Sequence, residues 1–306
     1  MGGGKDSAVA LAALARAGED VVAFSVGRKP SADATAAAEG VPLVHVRRRL
    51  DPALFELNEQ GALNGHVPIT AIVTCAAVVA ATILGCDSVV MANERSASAG
   101  TVEWAAWGGT VNHQFSKGWV AEEAIAAAVR RDIAADLDVF SILRPWSELA
   151  IARAFAGLPE HHGTFMSCNR GFTIARESAQ VWCGDCPKCR FVFLALAPFA
   201  GRDALVGIFG RDLLDDASQE EGFREVLGMG ADKPFECVGE VDEARAALRA
   251  LAADPAWAGD ALVARLAPSA GGPDAGAIGP WLAEEGPHGI PERHLRAARA
   301  LLGPRG

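Results

Sequence analysis

The sequence predicts an α/β protein built on a doubly wound parallel sheet, followed by a four-cysteine metal-bound segment and a helical C-terminal part. Three observations carry this expectation. Short apolar runs alternate with helical stretches through the first half of the chain. A glycine-rich turn opens directly into the first helix, and four cysteines gather between positions 168 and 189. The expected divisions are an α/β part over residues 1–160, a cysteine-bearing part over 161–240, and a helical part over 241–306 with a flexible connector near 268–280.

The chain opens on Gly2-Gly3-Gly4-Lys5-Asp6-Ser7. Three glycines leave a backbone free to take positive φ and to lie close against a ligand. Asp6 or Ser7 is expected to cap a helix from Ala8 to about Ala17, with Gly18 as its stop. Unpaired N–H groups and the positive end of the helix dipole then converge on one spot, which suits a phosphate or pyrophosphate. The turn is not a Walker A loop, because Asp6 follows Lys5 where that loop has Ser or Thr. The same residues also suit an unstructured glycine-rich start. A phosphate loop in an α/β protein hangs from a buried strand, and only Met1 precedes Gly2, so the expectation is a late start with the first strand upstream.

Asp20–Val26 reads as a buried parallel strand ending at Gly27, Asp33–Gly40 as a helix and Pro42–Val46 as a strand. Ile69–Leu84 is expected to be a long buried helix stopped by Gly85, with the strand Ser88–Ala92 behind it. Ligands bind such sheets at the carboxyl ends of the strands. Ser25–Gly27, Asn64-Gly65-His66 and Asn93-Glu94-Arg95-Ser96 are the polar segments at such ends or at helix starts. Asn112–Lys117 is dense in hydrogen-bonding groups and precedes a helix expected over Ala121–Ala135. There Lys117 suits the neutralising of a pyrophosphate leaving group, and His113 is a candidate general acid or base or a structural loop histidine. Asp138–Leu143 is the next strand, and Ser147 caps a helix through Phe155 with Glu148 in its first turn.

Cys183-Gly184-Asp185-Cys186-Pro187-Lys188-Cys189 holds two consecutive C-x-x-C spacings, so one tight turn presents three thiolates. Cys168 closes a tetrahedron from a neighbouring segment, and the four sulfurs suit a structural zinc with no open position. An iron–sulfur cluster is the rival, but the fourth cysteine and proline of the bacterial ferredoxin run are missing. Cys75 and Cys86 read as core residues. Beyond the cysteines come an apolar helix over Arg190–Phe199, a charged helical stretch over Asp203–Leu227, and an amphipathic helix over Asp242–Ala253. In the insertion Pro234–Glu240, Glu236 and Cys237 either approach a substrate or pack at the helix start; the last helix is expected over Pro291–Leu302.

Half of the 306 residues are hydrophobic and 22% are charged, which allows a large core and excludes global disorder. A net charge of −10 argues against a broad nucleic-acid surface, and Arg47-Arg48-Arg49 is too short a run to supply one. No secretory signal is visible, Ile69–Leu84 is too short for a membrane span, and seven cysteines suit a reducing compartment, so a cytoplasmic location is expected.

The turn Gly2–Ser7 resembles the PP-loop of the ATP pyrophosphatases, S-G-G-x-D-S, with Gly2 in place of the first serine. The cysteine pattern is similar to that of the 7-cyano-7-deazaguanine synthases. Asn93–Ser98, Val111–Lys117, Ser167–Arg170, Trp182–Phe193 and Lys233–Glu240 more closely resemble the UDP-N-acetylmuramoyl-L-alanyl-L-glutamate epimerases, the MurL family. That resemblance runs from Gly2 to about Glu240; family members carry a sizeable segment before the loop that this chain lacks. It implies an adenine nucleotide α-hydrolase-like fold and conversion of the terminal L-glutamate of UDP-MurNAc-L-Ala-L-Glu to D-glutamate. By the same resemblance ATP would be consumed to AMP and pyrophosphate, magnesium would be required, and a zinc would be structural. Gly2, Gly3, Gly4, Lys5, Asp6 and Ser7 would then hold the phosphates, Asp6 also the magnesium, and Ser25 would join the nucleotide site. Lys117 would stabilise departing pyrophosphate, Glu94, Glu103 and His113 are the candidate proton carriers, and the cysteines brace the far side. The alternatives are a deazaguanine synthase, a thiolating enzyme on RNA, which the acidic balance disfavours, or an N-terminally truncated nucleotide-binding remnant.

Overall fold

A computed structural model of the chain describes residues 1–63, 67–100, 102–104, 106, 108–172, 182–230, 234, 236, 238–271 and 278–303, with backbone alone for 102–104 and 171–172. Helix α1, Lys5–Arg16, begins ahead of the expected start, with Gly4 as an extended N-cap and no side-chain cap. Asp6 and Ser7 therefore stand in its first turn rather than at the cap, and the Gly2 N–H donates to Ser7 Oγ at 3.2 Å. β1 (Ala23–Val26) leads through α2 (Pro30–Ala38) to β2 (Leu43–Val46), which pairs with it in parallel from Ala23↔Leu43 to Val26↔Val46. α3 (Pro52–Glu59) is capped by Asp51, whose carboxylate accepts from Ala53 N at 3.0 Å.

α4 (Ile69–Leu84) ends at Gly85 in the left-handed conformation, φ +70. The sequence expectation of a buried helix is corrected here. Only Thr70, Thr74, Ala77, Val78 and Ala81 are buried, while Ile72, Val79 and Ile83 face outward and Cys75 is exposed. The buried stripe consists of small and β-branched residues that let the helix lie close to its neighbours, so the bulkier side chains are left on the other face. β3 (Ser88–Met91) follows, then an unforeseen antiparallel hairpin of β4 (Val102–Trp104) and β5 (Gly109–Val111). α5 (Trp119–Asp132) leads to β6 (Asp138–Ser141), which pairs in parallel with β3 from Ser88↔Asp138 to Met91↔Ser141. Where the sequence predicts one doubly wound sheet, the described residues form two separate parallel pairs and the hairpin. The architecture is mixed α/β with a helical C-terminal part.

α6 (Glu148–Ala156) is capped by Ser147, whose Oγ accepts from Ala150 N at 3.1 Å. After α7 (Pro159–His162) come α8 (Pro187–Leu196) and α9 (Arg202–Phe209). The single helix expected over 203–227 is broken at Gly210, φ +77, and by a turn in which Asp212 accepts from Leu214 N; α10 (Glu220–Val226) resumes beyond it. α11 (Val241–Ala253) opens with a capping box between Glu240 and Glu243, and α12 (Ala261–Leu266) and α13 (Glu292–Leu302) complete the chain. Part of the expected connector, 272–277, lies outside the described residues.

The larger core gathers α1, α6, α8, α11 and α13 around Trp146, Leu149, Phe155, Phe191 and Phe193, none more than 1% exposed. Aromatic rings pass contact from Phe155 through Phe165, Trp182 and Phe209 to Phe193, with centroids 4.5 to 5.2 Å apart. Each such side chain contributes roughly 1.5–3 kcal/mol by leaving water. A smaller core joins Ala77, Val78 and Ala81 of α4 to Val89, Val129 and Val139. Among the described residues no helix is long and apolar enough to cross a membrane.

Candidate active site

The glycine turn is held in shape by contacts that exclude side chains. Gly3 has φ +75, and a Cβ there would fall 2.2 Å from Ser31 Oγ; one at Gly4 would fall 2.7 Å from Ser167 Oγ. Met166 N donates to Gly3 O at 2.8 Å, tying the turn to the segment before Cys168. Beneath the turn, Lys5 is buried and its ammonium bonds both Asp6 and Glu148. Burial opposes the Lys5 charge, but the two carboxylates outweigh it and hold the group protonated far above its usual range.

The turn borders a cavity of about 280 Å³. Gly2, Gly4, Asp6 and Ser7 form one wall. Asn93, Glu94 and Ala97, beyond the end of β3, and Gln114 and Lys117, ahead of α5, form another. Lys29 joins them, and Glu148, Met166, Ser167 and Lys188 close the remaining side from the helical half. Of the residues singled out in the sequence, Gly3, Lys5, Ser25 and His113 do not line this space. Ser25 is fully buried on β1, its hydroxyl directed to Met1 O and Gly27 O at 3.2 and 3.0 Å. His113 is buried next to the cavity-lining Gln114. Glu103 lies on β4 with its side chain outside the described residues, as are Asn64-Gly65-His66 and Cys237.

The cavity's charges are unlike in behaviour. Burial pushes the Glu94 carboxyl up to about 7, reinforced by the carboxylates of Glu148 and Asp6. Burial would raise Asp6 as well, but Lys5, then Lys188 and Lys117, hold it below its ordinary value and ionised. Glu94 is thus poised to gain or lose a proton near neutrality, and Asp6 is a fixed anion. Arg144, 2% exposed, fixes the two segments that carry Glu94 and Lys117. It donates to Glu94 O at 2.8 Å, to Lys117 O at 2.6 Å and to the Glu122 carboxylate at 2.7 Å. Asn112 adds a bond from its side-chain amide to Ala97 O at 2.8 Å.

Sequence reasoning did not pick out Glu148, Lys188, Lys29, Ser167 or Arg144. For Glu148 the only local signal was an acidic first-turn residue, which a helix N-terminus explains by itself. For Lys188 the available signal was a cation placed inside a metal-binding spacing.

Cys168, Cys183, Cys186 and Cys189 bring their sulfurs within 4.8 Å of one another, with Cys186–Cys189 at 3.5 Å and Cys183–Cys189 at 3.7 Å. A tetrahedral zinc with Zn–S near 2.3 Å has sulfur–sulfur edges of about 3.8 Å, so the donor set fits. Shared S–H···S contacts with Cys168 and then Cys189 draw the Cys186 thiol far down, while Cys168 and Cys186 push Cys189 up. Four thiols at this spacing cannot all ionise without a cation between them. A second acidic group, Glu39, Glu160 and His161, is already served by Arg16, which lies 3.9 Å from Glu39 and bonds Glu160.

Fold and site together define an α/β protein whose charged cavity is closed from behind by a helical half that carries a group of four cysteines. A family model for the MurL N-terminal domain matches residues 1–142, and one for the MurL C-terminal domain matches 164–276. The chain belongs to the MurL family. It is 47% identical over 305 residues to the UDP-N-acetyl-alpha-D-muramoyl-L-alanyl-L-glutamate epimerase of Xanthomonas oryzae pv. oryzae (strain MAFF 311018), covering 98% of this chain and 67% of that protein. It is 46% identical over 301 residues to the protein of the same description from Micromonospora sp. (strain ATCC 39149 / NRRL 15099 / SCC 1413), covering 97% and 66%. A third, from Salinispora tropica (strain ATCC BAA-916 / DSM 44818 / JCM 13857 / NBRC 105044 / CNB-440), is 47% identical over 266 residues, covering 87% and 58%. The chain spans about two thirds or less of the length of these relatives.

Proposed function

We propose that this chain carries out the ATP-dependent epimerisation of the terminal L-glutamate of UDP-MurNAc-L-Ala-L-Glu to D-glutamate, a step in making peptidoglycan precursor. The observation that carries the reading is one cavity joining a glycine turn, three lysines and a carboxyl that titrates near neutrality. The substrate comes from the printed descriptions of the relatives. The chemistry explains why such a cavity suits it. A proton α to a carboxylate is barely acidic, because its loss would put two negative charges on adjacent atoms. In the proposed sequence a carboxylate oxygen attacks the α-phosphorus of ATP, the bond to pyrophosphate breaks, and the product is an acyl adenylate whose carbonyl no longer carries the carboxylate charge. Removal of the α-proton then sends its electron pair into the carbonyl as an enolate. Return of a proton on the opposite face inverts the centre, and water releases AMP and the carboxylate.

In this reading the N–H groups of the Gly2–Ser7 turn and the start of α1 hold phosphate oxygens. Asp6, ionised and 31% exposed, offers a hard oxygen for the magnesium carried with ATP. Lys117 and Lys188 face the departing pyrophosphate, and Glu94 carries a proton to or from the α-carbon. Glu103 and His113, neither of them a described lining residue of the cavity, are the other candidate proton carriers. The four cysteines would hold a structural zinc, which supplies closure of the fold and no open coordination position. Incubation with ATP, magnesium and the L,L-nucleotide dipeptide tests the proposal. AMP release with D-glutamate in the product supports it; AMP release with glutamate wholly in the L form rejects it.

A further inference from the structure

Lys188 stands between Cys186 and Cys189, at the second position of α8, whose N-cap is Cys186 and whose first residue is Pro187. A cation there opposes the helix dipole, which favours acidic side chains in the first turn. α8 has none of those. Helix stability therefore gives no reason for a lysine at 188. The cavity gives one: Lys188 is one of its lining residues, 13% exposed, with Nζ 3.9 Å from Glu148 Oε1 and 5.9 Å from the centre of the Phe191 ring. That carboxylate is already bonded to Lys5. The Lys188 contact to it is longer than a hydrogen bond, and the same charge helps to hold Asp6 ionised. Both flanking cysteines belong to the four-sulfur group, so a metal held there would clamp the backbone that carries Lys188 on each side.

We propose that the cysteine knuckle is the mount of a phosphate-binding lysine: with the cluster closed, Lys188 is held out into the cavity and binds the polyphosphate of the nucleotide opposite Lys117. This rests on reading the cavity as an ATP site and assigns the cluster a second task beyond fold closure. The four thiols position, and Lys188 touches the ligand. Fixing the backbone in advance removes the cost of ordering it when phosphate binds, so that only the side-chain rotamer freedom of the lysine is lost.

The test measures binding rather than turnover. Affinities for α,β-methylene-ATP with magnesium, and for adenosine, are measured for the wild type, Lys188→Met and Lys188→Arg. Each is measured as isolated with metal and after removal of metal under reducing conditions, with metal content and circular dichroism recorded. Lys188→Met is expected to weaken the ATP analogue at least about tenfold while metal content and adenosine binding stay unchanged, with partial rescue in Lys188→Arg. Metal removal is expected to weaken the wild type by a similar factor and Lys188→Met little further. If stripping unfolds the chain, Cys168→Ala disturbs the cluster from outside the knuckle and replaces that arm. Tight analogue binding by Lys188→Met, or an equal metal effect on wild type and variant, overturns the proposal. Failure of the wild type to bind the analogue at all overturns the ATP reading beneath it.

Discussion

The strand-bearing and the helical halves of the molecule bury very different shares of their surface. In the first, α3 has no buried residue, α4 buries five of sixteen, and β2 has none fully enclosed. In the second, α6 buries seven of nine and α8 eight of ten. The cavity lies on the seam. Glu94 and Lys117 come from the thinly covered half; Glu148, Ser167 and Lys188 come from the dense one, and so does the glycine turn, whose helix α1 packs into the larger core. The contrast shows how the cavity is assembled: a tightly packed body fixes Glu148 and Lys188 in place, and loops of the lightly packed part bring Glu94 and Lys117 against them.

The largest expected effect separates chemistry from packing within the cavity itself. Glu94→Gln should lower epimerisation by about 10²–10⁴-fold. It should leave binding of an ATP analogue nearly unchanged and abolish the limb of the rate–pH profile with its midpoint near 7. Steady-state kinetics across pH, beside a binding isotherm, reads all three.

In the dense half, Phe193→Ala empties a position that is fully buried against Phe209 and Trp257. A loss of about 3–5 kcal/mol in denaturant unfolding is expected. A much smaller loss would mean that this half is not the rigid body its packing implies.

Glu243 offers a pH test in the same half. Burial, and then Glu148, pushes its carboxyl up to about 8, from an ordinary 4.5. The folded state thus holds this proton more tightly than the unfolded one, so its contribution favours folding below about 4.5 and declines as pH rises to about 8. The slope reaches at most about 1.4 kcal/mol per pH unit. Glu243→Gln keeps an acceptor for Leu149 N and should flatten the stability–pH curve across that window. An unchanged curve would contradict the assignment.

Gly3→Ala should cost about 1–3 kcal/mol, because the residue is held at positive φ against Ser31, and should weaken nucleotide binding with it. At the other end, Ile83→Ser on the outer face of α4, where Ile83 is 78% exposed, should change stability by less than about 0.5 kcal/mol. A large destabilisation there would show that the lightly covered half is less independent of its outer face than its burial indicates.

Local pattern reveals some of this arrangement and not the rest. The apolar runs at Ala23–Val26, Ser88–Met91 and Asp138–Ser141 mark their strands because alternating helices interrupt them at regular intervals. The C-x-x-C spacings reveal the knuckle because chain connectivity alone puts those thiols on one turn. α4 misled because an apolar sequence states what a helix could bury, not whether a neighbour is there to bury it. The hairpin was signalled by Gly108-Gly109, with Gly108 at φ +64, yet its strands are only three residues each. Glu148 and Arg144 were illegible for a stronger reason. Their meaning lies in contacts with Lys5, 143 positions away, and with Glu94 O, 50 positions away, and no local window contains them.

The central claim is that the glutamate α-proton leaves and returns at this cavity only after its carboxyl group has been activated by ATP. Running the reaction in deuterium oxide tests it directly, with mass spectrometry of the glutamate at Cα and AMP counted alongside. The account predicts deuterium in the D-glutamate product, one AMP for each turnover, and no exchange when ATP is withheld. Inversion or exchange without ATP, or AMP release with protium retained at Cα, would contradict it.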